Sequence, residues 1–93
     1  MDENLSRPPS NVTLGELSHA VWTLLAEYTA FPWPVLKTQA ARQGVDPADL
    51  TVDQLRELAP RLAMGVARFT SPQVGEEVER RLRELLRSWP PSS

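Results

Sequence analysis

The chain contains no cysteine. Disulfide bridges, thiolate zinc sites, iron–sulfur ligation and cysteine nucleophiles are thereby excluded together. Histidine occurs once, at His19, and lysine once, at Lys37, beside nine arginines. The arginine bias reads as GC-rich coding and leads to the expectation of a bacterial source, so arginine counts carry little functional weight. No apolar run approaches the roughly 20 residues needed to cross a bilayer. Met1 is followed by Asp2, Glu3 and Asn4, whereas a signal peptide needs a basic start and an apolar stretch. A cytoplasmic location, with no membrane partner, is the expectation. Ten basic against twelve acidic side chains leave a net charge of −2, a field that weakly repels phosphate polyanions and disfavours nucleic acid as a partner.

What is present is ordinary globular material. Hydrophobic residues make up 41% and charged residues 24% of 93 residues, enough for one modest core and too little for two domains. Residues 1–12 carry Ser6, Pro8, Pro9 and Ser10 with few aliphatics, the composition of a disordered lead-in. A single domain is expected over residues 13–89, with a frayed tail at 90–93.

Apolar residues recur at helical intervals along that domain, which predicts an all-α fold of four main helices. Thr13 with Glu16 forms the sequence of a capping box, followed by the stripe Leu14, Leu17, Val21, Leu24, Leu25 and Tyr28. Phe31, Pro32, Trp33 and Pro34 interrupt it as a proline-stiffened connection. Pro34 suits the first turn of a short second helix running to about Gln43, with Gly44 as its left-handed end. Asp46 and Pro47 read as a cap and first turn, and Thr51 with Gln54 repeats the capping box for a third helix. Its stripe is Val52, Leu55, Ala59, Leu62, Val66 and Phe69. The phase passes through Pro60 unbroken, so a continuous helix kinked at Pro60 is predicted. Ala59, Ala63 and Ala67 form a flat ridge that admits a close neighbour. Ser71 and Pro72 open the last helix, whose stripe is Val74, Val78, Leu82, Leu85 and Trp89. On its outer face Glu76, Glu77 and Glu79 are each followed four residues later by Arg80, Arg81 and Arg83, the spacing and order of intrahelical ion pairs.

Two short stretches resemble functional motifs. Residues 18–25 (SHAVWTLL) resemble the phosphoacceptor box of sensor histidine kinases, which implies phosphotransfer on His19; Ala20 and Trp22 stand where that family has an acid and a base. Residues 40–45 (AARQGV) with Leu50 resemble part of a helix-turn-helix DNA-binding motif, which implies a reading helix from Pro47 onward and phosphate contacts by Lys37 and Arg42. Asp46, Asp49 and Asp53 would then face the phosphates.

No metal-ligand cluster, glycine-rich phosphate loop or serine-centred elbow is legible, so neither a cofactor, a small-molecule substrate nor enzymatic chemistry is expected. The remaining asymmetry is aromatic. Trp22 lies roughly 115° from the centre of the first helix's stripe, and Phe31 and Trp33 sit between prolines, where a large ring is presented at low entropy cost. They either fold back as a lid or form an exposed anchor. The resulting expectation is a small, non-enzymatic protein–protein interaction module, an adaptor, regulator or complex subunit. Its contact residues are Trp22, Phe31 and Trp33, the alanine ridge is an alternative groove, and the partner is another protein or a second copy. The alternative is a helix-turn-helix-like DNA-binding regulator using Lys37 and Arg42.

Overall fold

A computed structural model describes residue 8 and residues 12–90. Apart from Pro8, Val12 and Pro90, the expected lead-in and frayed tail lie outside the described residues. Val12 packs half-buried against the core.

Four helices and no strand occur among the described residues: α1 (Glu16–Ala26), α2 (Pro32–Gln43), α3 (Val52–Phe69) and α4 (Pro72–Arg87). Among the described residues no helix is long and apolar enough to cross a membrane. The expected capping box at the first helix does not form. Gly15 is the N-cap of α1 and contributes no side chain. The entry is set by a tertiary bond instead, the Gly15 amide donating to the Ala48 carbonyl at 2.8 Å. That bond places the start of the helix two residues beyond Thr13.

The second helix also starts two residues from the expected place, at Pro32. Phe31 is its N-cap, so both prolines fall in the first turn, where backbone amides have no intrahelical acceptor and their loss costs nothing. Trp33 is therefore a helical residue facing inward, not part of a connection. Gly44 ends α2 at φ 70°, as its position in the sequence predicts.

Asp46 and Pro47 do not begin a helix. The Asp46 carboxylate accepts from the Ala48 amide at 2.9 Å and its carbonyl from the Asp49 amide at 3.1 Å, which closes a turn. The third helix begins at Val52 under a complete capping box: the Thr51 hydroxyl accepts from the Gln54 amide and the Gln54 side chain accepts from the Thr51 amide, both at 3.1 Å. It runs without interruption through Pro60, whose ring is exposed.

Thr70 and Ser71 alone join α3 to α4, which turns the two into an antiparallel hairpin. Ser71 caps α4, its hydroxyl accepting from the Val74 amide at 3.3 Å. Gly75 lets the helices close on each other, because a Cβ there would lie 2.8 Å from the Ala67 Cβ and 3.0 Å from the Ala63 carbonyl. The alanine ridge is thus occupied at its far end by α4 of the same chain. α1 packs against α2 and α4, and α2 packs against α3. The centre is filled by Val21, Leu25, Leu36, Leu55, Leu62 and Val66, with Val78 and Leu82 from α4. Removal of such aliphatic surface from water is the dominant favourable term in folding.

Candidate interaction surface

The three aromatic residues singled out in the sequence go to three different places. Trp33 is 8% exposed and belongs to the core. Trp22 packs half-buried at the edge of the core, with its ring centroid 6.0 Å from the ring of exposed His19. Phe31 is 43% exposed at the N-cap of α2. Its ring meets Phe69, 64% exposed at the end of α3, with centroids 6.1 Å apart and planes tilted by 49°.

Phe69 corrects the sequence reading, which placed it on the buried stripe of α3. The stripe keeps its phase, but Phe69 is the last residue of the helix and stays largely exposed there. Its partner comes from the turn between α1 and α2, a long-range contact that helical spacing alone does not reveal. The signal that was available is position: an aromatic residue ending a helix immediately before a Thr-Ser-Pro stop.

Ser18, read above only as part of the phosphoacceptor resemblance, is fully buried and accepts the Leu50 amide at 2.9 Å. With the Gly15 to Ala48 bond it ties the connection between α2 and α3 to the first turns of α1. The sequence did carry a signal, a hydroxyl in phase with the apolar stripe, four residues after Leu14 and three before Val21. Among the described residues no group of histidine, aspartate and glutamate is placed to hold a metal ion.

Lys37 and Arg42 are both exposed on α2. Eight residues, 44–51, separate α2 from α3, longer than the three to four of a helix-turn-helix turn. The N-terminal turn of α3 presents Asp53, paired with Arg56 at 2.8 Å.

The charged face of α4 is wired differently from its sequence spacing. Of the three expected pairs only Glu79 with Arg83 forms, at 2.6 Å. Arg80 bridges Glu77 and Glu84. Arg81 leaves the helix face and reaches the end of α1, donating to Glu27 at 3.0 Å and to the Tyr28 hydroxyl at 2.8 Å. Tertiary proximity outcompetes the local partner here, because two acceptors just past the end of α1 converge on one guanidinium. The Arg81 hydrogen bond and its positive charge hold the Glu27 carboxyl below the usual glutamate range. Glu77 is lowered chiefly by its hydrogen bond from Arg80, while Arg80 and Arg81 are raised by their acidic hydrogen-bond partners.

Two open grooves lie between α3 and α4. One, of about 380 Å³, is lined by Arg56, Ala59, Arg83, Leu86 and Arg87. The other, of about 260 Å³, runs along Pro60, Met64, Ala67, Pro72, Glu76 and Glu79. Met64 stands 60% exposed at its side. Neither a protein-family model, a curated protein nor a solved structure matches the chain.

Proposed function

We propose that this protein is a small cytoplasmic bacterial interaction module without catalytic activity of its own, an adaptor, regulator or subunit that binds another protein through the Phe31–Phe69 pair. The observation that carries this reading is the pairing itself. Phe31, Met64 and Phe69 are the large hydrophobic side chains left exposed among the described residues, and two of them meet ring to ring. An exposed pair of rings leaves apolar area in water that a partner would cover, and aromatic residues are enriched among the side chains that dominate binding energy. The pair is also held in place, since Phe31 caps α2 and its amide donates to the Thr29 hydroxyl at 3.1 Å. Little conformational freedom is then lost on binding.

The non-catalytic part of the reading rests on the polar groups. Their placement has structural explanations: Ser18 binds the Leu50 amide, Thr51 and Ser71 cap helices, and the carboxylates Glu27, Asp53, Glu77, Glu79 and Glu84 hold arginines.

The test replaces the pair and keeps the fold. Phe31→Ser with Phe69→Ser should retain the helical spectrum of the wild type and lose the proteins that a photo-crosslinker placed at the neighbouring exposed position 68 attaches in the native cell. Unchanged crosslinked partners with the pair replaced would reject the assignment.

A further inference from the structure

The outer face shared by α3 and α4 carries its charges in two separate blocks. Because the helices are antiparallel, Arg56 of α3 lies level with Arg83 and Arg87 of α4, and these three arginines flank an apolar floor of Ala59 and Leu86. At the opposite end of the same face, Glu76 and Glu79 of α4 flank the exposed Met64 of α3. Positions 76, 79, 83 and 86 follow one another at three and four residues, so the acidic and basic blocks fall on a single stripe of α4. One end of the face is therefore a methionine between acids, and the other an apolar groove between arginines.

A two-fold axis lying in the plane of this face, perpendicular to the helices, sets each block opposite its complement on the second copy, which is the geometry an isologous contact requires. We infer that a second copy of this chain docks antiparallel on the α3–α4 face, Met64 of each copy entering the groove floored by Ala59 and Leu86 of the other. Glu76 then faces Arg87 across the interface, twice. These two are the groups with most to gain. Among the described residues neither has an ion-pair partner within its own chain, whereas Arg83 holds Glu79 and Arg56 holds Asp53. Methionine suits the inserted position because its unbranched thioether adapts to an irregular groove. Pro60 and Pro72 border the acidic end without long side chains that would hold the partner off. An alien acidic peptide would satisfy the arginines and leave the acidic block and Met64 uncovered; a second copy covers both ends at once. This surface is separate from the Phe31–Phe69 pair, so the two assignments fail independently.

Sedimentation velocity over a concentration series reads the result. The wild type is expected to be a reversible dimer. Glu76→Arg alone and Arg87→Glu alone should each weaken association by about tenfold, since each introduces two symmetry-related repulsions between exposed charges. An equimolar mixture of the two variants should return to wild-type affinity as a heterodimer, because every contact between positions 76 and 87 again joins an acid to a base. Met64→Lys should weaken association as well, and Phe31→Ser with Phe69→Ser should leave it unchanged. A wild type that stays monomeric throughout, single variants that associate as the wild type does, or a mixture no tighter than its components would each overturn the inference. All the substituted side chains are exposed, and a circular dichroism spectrum confirms that each variant is folded.

Discussion

The amide of Leu50 donates to the hydroxyl of Ser18 across 32 positions of sequence, at 2.9 Å and out of contact with water. The bond joins the connection between α2 and α3 to the first helix. Ser18→Ala removes the acceptor and leaves a buried backbone donor unsatisfied, which costs about 1–3 kcal/mol. For a domain of this size each kcal/mol corresponds to a fall of roughly 4–8 °C in melting temperature. A thermal melt followed at the helical band reads the shift, and an unchanged midpoint would show that water replaces the bond.

The close crossing at Gly75 gives a second prediction, sharpened by comparison with Gly65. At Gly75 a methyl group would press on the Ala67 side chain at 2.8 Å and on the Ala63 carbonyl at 3.0 Å, neither of which can swing aside. At Gly65 the nearest atom is a Val35 methyl at 3.1 Å, which yields by a small shift. Both substitutions gain about 1 kcal/mol of helix propensity, while overpacking costs about 1–3 kcal/mol. Gly75→Ala should therefore lower the melting temperature, and Gly65→Ala should leave it nearly unchanged. Equal effects would mean that α4 moves freely over α3.

A third prediction concerns acid. Glu27 and Glu77 both titrate below the ordinary glutamate value in the folded protein, held there by hydrogen bonds from Arg81 and Arg80 respectively. A carboxylate lowered by folding contributes stability that is present above the unfolded value, about 4.3, and that is lost as pH falls through the folded one. The protein should lose stability below that point. Arg81→Met removes the chief cause for Glu27 and a minor one for Glu77, so its melting temperature should fall less steeply than that of the wild type between pH 5 and 3, taken as about the window of carboxylate titration. Parallel profiles would show that the arginine does not govern the acid response.

How far the sequence reaches depends on which forces decide each position. Number and order of helices follow from apolar spacing, because the only way four stripes leave water is against each other. Gly44, Thr51 and Ser71 were legible for the same reason: a left-handed end or a cap is decided by atoms within four residues. Three of the misplacements arise where a distant group takes over. Ala48 captures the Gly15 amide and shifts the entry of α1. Glu27 and Tyr28 take Arg81 from Glu77. Phe31 finds Phe69 across the bundle. The candidate surface was half legible on that account: Phe31 was identified from its proline-bracketed setting, Trp33 was drawn inward when Pro32 started the helix early, and Phe69 stayed hidden within a regular stripe.

The two threonines that share the capping sequence put this distinction to a direct test. Thr51 and Gln54 complete both hydrogen bonds of the box, whereas Thr13 and Glu16 have the same spacing and α1 is capped by Gly15 without any side-chain bond. Thr51→Ala should cost about 1 kcal/mol, the usual loss for an N-cap hydroxyl, and lower the melting temperature by roughly 4–8 °C. Thr13→Ala should change it by less than the error of the measurement, since Thr13 is exposed and outside the helix. If Thr13→Ala proved as costly as Thr51→Ala, α1 would begin at its own local signal after all, and the bond from Gly15 to Ala48 would not be what sets its entry.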